Sequence, residues 1–179
     1  MKKIYRFIFF RLMGWHIKGS MDSDLKKSVI IVAPHTSWMD FIIGVFARGA
    51  IGLEMHFVAK KELFRFPFGG YFRWMGGAPL DRQKNENKVD AIAAIFKERE
   101  VFRLAIAPEG TRKKVEQWKT GFYYIALKAE VPVIAVAFDY STKTVTLAPS
   151  YLLTGNKETD FAVLQSNYIG VTGFHKENT

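Results

Sequence analysis

Short runs that are apolar at every position, with no polar alternation, constrain this chain more than any other feature. Residues 29–33 read Val-Ile-Ile-Val-Ala and stop at Pro34, and residues 131–138 read Val-Pro-Val-Ile-Ala-Val-Ala-Phe. A strand of this kind has no face to offer water, so it belongs inside a sheet covered on both sides. Residues 55–60 and 102–107 read as further core strands, the second ended by Pro108 and Gly110. Val89, Ile92, Ala93, Ile95 and Phe96 recur at helical spacing, which predicts a helix over residues 86–99 packed by one face. Helices are also predicted over 37–48, with Ser37 placed to cap it, over 120–129 and over 158–168. Residues 15–20 and 143–148 read as shorter, more exposed strands. Strands alternating with helices predict an α/β domain with a mainly parallel central sheet flanked by helices. At 179 residues, 49% hydrophobic and 24% charged, the chain suits one packed domain and argues against global disorder.

In sheets of this kind, sites gather where strands end and loops begin. Three polar clusters fall in such loops. The first is Pro34-His35-Thr36-Ser37-Trp38-Met39-Asp40. A carboxylate five residues beyond a histidine can face it if the chain turns into a helix between them. The acid then accepts the proton of one ring nitrogen, leaves the other free as a base and stabilises the imidazolium. The spacing alone fits equally a histidine at an ordinary helix start with an unrelated acid. The second cluster, Gly76-Gly77-Ala78-Pro79-Leu80-Asp81-Arg82, couples a glycine turn to a planar guanidinium suited to phosphate. Read alone, it is also an ordinary exposed ion pair. The third is Ala107-Pro108-Glu109-Gly110-Thr111-Arg112, followed by Lys113 and Lys114, with Lys119 and Gly121 just beyond. Here amides, a hydroxyl and a guanidinium can converge on an anion, or form a solvated basic turn.

Lys and Arg number 26 against 17 Asp and Glu, a net charge of +9, and such a surface attracts phosphates on lipids, nucleic acids or small substrates. The absence of cysteine excludes disulfides, thiolate-ligated metals and thiol catalysis. A non-enzymatic binder of acidic lipid or nucleic acid would use the charge but leaves His35, Asp40 and the glycine-arginine turns unexplained. A metal-dependent phosphate-ester hydrolase finds no cage-like ligand spacing.

Taken in order, the clusters resemble the glycerolipid acyltransferase family, whose best-known members are 1-acylglycerol-3-phosphate acyltransferases. The family's H-x-x-x-x-D looks like His35 to Asp40, with the frequent Ser at Ser37, and its G-x-x-x-D-R looks like Gly77 to Arg82. Its P-E-G-T-R matches Pro108 to Arg112 in full. Trp118-Lys119-Thr120-Gly121 and Val131-Pro132-Val133 follow its later motifs. The likeness runs over residues 28–138, with departures at Pro34, Lys113 and Ala135.

This resemblance implies that His35 is the general base and Asp40 its orienting acid. It implies that Arg82, Arg112 and Lys119 hold the acceptor's phosphate, with Glu109, Gly110 and Thr111 completing that site. The reaction implied moves a fatty acyl chain from acyl-CoA or acyl-carrier protein to the hydroxyl of a lysophospholipid. The first acceptor is 1-acylglycerol-3-phosphate, giving phosphatidate, and the alternative is a lyso-aminolipid or other lysolipid. The acyl thioester is a co-substrate, and no further cofactor, metal or nucleic acid is called for. The expected partners are those lipid and thioester substrates and an anionic membrane surface.

Membrane contact is expected from the N-terminus. Residues 3–14 read as a helix with Ile4, Phe7, Phe9, Phe10 and Leu12 interleaved with Lys3, Arg6 and Arg11. This segment is too short to span a bilayer and suits an interfacial position, or a terminal helix packed on the core. The expected division is therefore 1–14 as an amphipathic helix and 15–179 as the catalytic domain. The expected location is cytoplasmic, peripheral on the inner face of the cell membrane. Residues 28–47 are too polar around Pro34 to Asp40 for a spanning helix and read as a strand followed by a helix. The basic-aromatic stretch 60–74 either borders an acyl groove or packs as a bulky connection.

Overall fold

The computed structural model describes residues 1–80 and 88–179. Seven strands form one sheet in the order β1 (His16–Lys18), β7 (Thr144–Leu147), β6 (Val133–Asp139), β2 (Lys27–Ala33), β5 (Phe102–Ile106), β3 (His56–Lys60) and β4 (Gly77–Leu80). Every pairing is parallel except β6 with β7. The apolar runs of β2 and β6 lie side by side at the centre, Val29 opposite Val133 and Ala33 opposite Ala137.

The pleat explains why both strands are apolar throughout. Val29, Ile31, Val133 and Ala135 join a core with Leu104, Phe96 and Phe122. Ile30, Ile134 and Val136 point the other way, into a core with Ile43, Phe9 and Trp15. Helices α4 (Lys88–Glu98), α5 (Gly121–Ala129) and α6 (Lys157–Ser166) cover the first face, and α2 (Met39–Ile51) lies on the second. The mainly parallel α/β sheet flanked by helices is thus as expected. Residues 28–47 form β2 and α2, and among the described residues no helix is long and apolar enough to cross a membrane.

Three local differences from expectation have physical causes. Helix α2 starts at Met39 because Asp40 reaches back to accept the amides of Thr36 and Ser37, fixing those residues outside the helix. Trp38, not Ser37, takes the N-cap position and makes no side-chain cap bond, while the Ser37 hydroxyl accepts the Met39 amide at 3.2 Å from one residue further back. The basic-aromatic stretch holds a short helix, α3 (Gly69–Trp74), and leads into β4, both masked in sequence by glycine, arginine and proline. Proline is tolerated in β4 because that strand closes the sheet's edge.

The N-terminal segment is α1 (Lys2–Arg6), continued by a wider π-helical stretch, Phe7–Leu12. Its inner side is part of the core. Phe9 is fully buried, and the Tyr5 ring lies so close over Gly49 of α2 that a β-carbon there would sit 2.3 Å from it. Its outer side leaves Ile4, Phe7 and Leu12 exposed among Lys3, Arg6 and Arg11. In the basic-aromatic stretch, Phe64 is buried and Phe72 packs on Phe41, whereas Phe66, Phe68, Tyr71 and Trp74 face solvent.

Candidate functional site

The site assembles where β2, β5 and β6 end. His35 follows β2 by two residues, and its Nδ1 lies 3.0 Å from Oδ2 of Asp40, in the first turn of α2. The same oxygen accepts the backbone N–H groups of Thr36 and Ser37, each at 2.9 Å. The other oxygen accepts the Tyr140 hydroxyl at 2.7 Å. Burial alone drives the Asp40 carboxyl up. The His35 ring, the Tyr140 hydroxyl and the Ser37 amide outweigh it and hold the group below the ordinary carboxylate range. A carboxylate on Nδ1 places the ring proton there and leaves Nε2 as the basic nitrogen. The His35 side chain keeps 26% of its surface exposed while that of Asp40 keeps 2%, so the ring is reachable and its anchor is not.

Glu109, in the turn after β5, aims its Oε2 at the backbone N–H of His35, 2.7 Å away. It therefore faces the backbone of the loop that carries His35. Burial pushes its carboxyl above the usual range, and the Asp40 charge adds to that, against the opposing pull of His35. Gly110 sits at φ 65, a left-handed conformation, beneath the side chain of Lys119. A β-carbon there would lie 2.8 Å from the Lys119 side chain. The Lys119 amide donates to the Pro108 carbonyl at 2.8 Å and closes the loop. Thr111, Arg112 and Lys119 are exposed around this turn. Arg82, with Asp81, lies outside the described residues. The structure thus brings His35, Asp40 and Glu109 together and displays Thr111, Arg112 and Lys119 on the adjoining surface.

A cavity of about 230 Å³ opens beside the His/Asp pair, between α2 and the sheet. Ile30, Val32, Gly44, Ala105, Val136 and Phe138 line it, and Arg48, His56 and Met75 mark its other end. The Arg48 guanidinium bridges the carbonyls of Met55 and Met75, at 2.9 and 2.6 Å, and so ties α2 to both segments there. Burial lowers the His56 imidazole below its ordinary value, more than the nearby Glu54 raises it, which favours a neutral ring against the apolar lining. A base at the mouth of an apolar slot can activate a hydroxyl against a reactive carbon whose hydrocarbon tail lies in the slot.

Two contributors were not foreseen. Tyr140 supplies the only side-chain hydroxyl on Asp40 among the described residues. Residues 172–175 pack over the loop between His35 and Asp40, the His175 amide donating to the Thr36 hydroxyl at 3.1 Å and Gly173 fitting against Thr36. A signal for Tyr140 existed, since it directly follows a core strand and strand ends are where sites gather. Nothing in the sequence marks residues 172–175.

The family profile described as Acyltransferase matches residues 15–139. The 1-acyl-sn-glycerol-3-phosphate acyltransferase of Salmonella typhimurium is 29% identical over 133 residues, covering 70% of this chain and 53% of that protein. Its Streptococcus pneumoniae namesake is 30% identical over 135 residues, covering 71% of this chain and 50% of the relative. The Bacillus subtilis namesake is 29% identical over 113 residues, covering 61% and 54%. The chain therefore spans about half the length of these relatives. The crystal structure of the 1-acyl-sn-glycerophosphate (LPA) acyltransferase PlsC from Thermotoga maritima shares the fold. Its TM-score is 0.62 at 21% identity, over 95% of this chain and 76% of that one.

Proposed function

The chain belongs to the acyltransferase family, and from that premise we propose that it moves a fatty acyl group from a thioester to the free hydroxyl of a lysophospholipid, with 1-acylglycerol-3-phosphate as the acceptor. The observation that carries this reading is a solvent-reachable imidazole, anchored through Nδ1 by Asp40, at one end of an apolar cavity.

His35 Nε2 takes the proton of the acceptor's hydroxyl as that oxygen bonds to the thioester carbonyl carbon. The carbon–sulfur bond then breaks, and the imidazolium returns its proton to the departing thiolate. Asp40 keeps the second ring proton throughout and stabilises the charged ring. General-base assistance contributes about 10²- to 10⁴-fold. Holding the two substrates in register supplies much of the remainder. The acyl chain lies in the cavity between α2 and the sheet. Arg112 and Lys119, with Arg82, hold the acceptor's phosphate beside Thr111. Coenzyme A or acyl-carrier protein delivers the acyl group. The protein works peripherally, on the cytoplasmic face of the cell membrane. The exposed Ile4, Phe7 and Leu12 among basic residues support that placement.

The deciding experiment offers purified protein a panel of lysolipid acceptors and acyl thioester donors and identifies products by mass spectrometry. Phosphatidate from lysophosphatidate, lost in a folded His35→Ala protein, is the expected result. A folded His35→Ala protein with unaltered turnover overturns the mechanism, and acylation confined to another lysolipid overturns the acceptor.

A further inference from the structure

We infer that Tyr140 is a positioning residue for the His35 base, acting through the hydroxyl it donates to Asp40; the inference rests on the acyltransferase reading for its kinetic consequences. The sheet sets up the contact. Strands β2 and β6 run parallel with Ala33, the last residue of β2, opposite Ala137, and β6 continues to Asp139 against β7. His35 comes two residues later on one strand and Tyr140 three residues later on the other. The Tyr140 hydroxyl then reaches Oδ1 of Asp40 at 2.7 Å.

The phenol ring is held by two other aromatic rings. Trp15 meets it edge-on at 4.9 Å and Phe174 at 5.4 Å. The Tyr140 amide donates to the Thr172 carbonyl at 2.8 Å. The hydroxyl therefore has a fixed direction, and its target is the carboxylate.

The two oxygens of Asp40 divide their tasks. Oδ2 takes the amides of Thr36 and Ser37 and faces His35 Nδ1, while Oδ1 receives the phenol. Asp40 is buried, so an Oδ1 without that donor would be a charged oxygen deprived of water. The carboxylate would then rotate to share its remaining donors, or concentrate its charge on the imidazole. Either change alters the basicity and aim of Nε2. Among the described residues, the groups facing this unit are Asp40 from α2, Glu109 from the turn after β5, and Tyr140 after β6. His175 lies behind Thr36, with its ring paired to Glu177 at 3.4 Å. Only the phenol can be removed while every ionic charge in this set is kept.

The test compares wild type, Tyr140→Phe and Phe174→Leu. Tyr140→Phe keeps the edge-on ring contacts and loses one hydrogen bond. Phe174→Leu removes one edge-on ring contact and keeps the hydroxyl. In Tyr140→Phe, kcat falls roughly tenfold. KM for lysophosphatidate and for the acyl thioester stays within about twofold, because the phenol touches neither. The acid limb of kcat/KM moves to higher pH, since a less dispersed Asp40 charge favours the imidazolium. The ring titration of His35, followed by nitrogen NMR, moves the same way and needs no turnover. Phe174→Leu lowers the melting temperature and leaves both titrations in place. Replacing Tyr140 alone by 3-fluorotyrosine, a stronger donor of the same shape, moves the limb in the opposite direction and serves should the Phe variant fail to fold. An unmoved His35 titration in the Phe or the fluorotyrosine protein overturns the inference, as does an equal shift in Phe174→Leu. Activity surviving His35→Ala would remove the acyltransferase mechanism instead, while the NMR titration would still decide the role of Tyr140.

Discussion

Oε2 of Glu109 accepts the backbone N–H of His35 at 2.7 Å, so two loops 74 positions apart in the chain are joined at His35 itself. The contact separates two effects of one side chain. Its acceptor satisfies a part-buried amide, and its charge is disfavoured by burial. Glu109→Ala leaves the amide unpaired and should cost about 1–3 kcal/mol of stability, with lower turnover as the His35 loop loosens. Glu109→Gln retains an acceptor and removes the charge. The sign of its pH effect follows from the raised carboxyl. Between the ordinary value of 4.5 and the higher folded one, the folded protein holds a proton that the unfolded chain has released, so stability falls as pH rises through that window. Denaturant titrations should therefore find the Gln protein equal to wild type below this window and more stable above it. A constant difference at all pH values would contradict the raised carboxyl.

The central strands were legible because burial on both faces forces apolar residues at every position, as in residues 29–33 and 131–138. His35 and Asp40 were legible as a pair because a strand-to-helix turn brings residues at that spacing together. Glu109 was visible as a candidate, but its partner was not, since a backbone amide carries no side-chain signal. Tyr140 meets Asp40 across 100 positions of chain, a contact set by strand pairing and invisible to local periodicity. Helix α3 and strand β4 were obscured for the opposite reason. Their order comes from packing, such as Phe72 on Phe41, while their glycine, proline and arginine content reads locally as a loop.

The cavity between α2 and the sheet makes a second prediction. Gly44 lines it, and a β-carbon there would stand 3.6 Å from the Phe138 ring, an ordinary contact. Gly44→Leu therefore fills part of the slot, and its β-carbon meets only the Phe138 ring. Replacing glycine inside a helix also favours the helix by about 0.5–1 kcal/mol. The melting temperature should hold or rise while turnover of long-chain acyl thioesters falls several-fold relative to short-chain ones. A uniform loss across chain lengths would remove the cavity from acyl binding.

The N-terminal helix makes a third prediction, and its packing dictates the form of the test. Deleting residues 1–14 would strip Phe9 and Tyr5 from α2 and expose core, so altered lipid binding by a truncated protein would be ambiguous. Phe7 is exposed on the outer side, near Lys3, Arg6 and Arg11. If that side rests on lipid, the ring passes from water into the acyl boundary, worth about 1.5–3 kcal/mol. Phe7→Ser should then reduce partition onto anionic phosphatidylglycerol vesicles roughly tenfold or more. Its melting temperature in buffer should stay unchanged, because the ring supports no core contact. Neutral phosphatidylcholine vesicles should bind the wild type more weakly, and added salt should narrow that gap by screening the basic side chains. Partition of Phe7→Ser equal to wild type on anionic vesicles would place the lipid contact elsewhere on the protein, with the exposed Phe66, Phe68 and Trp74 as the next residues to change.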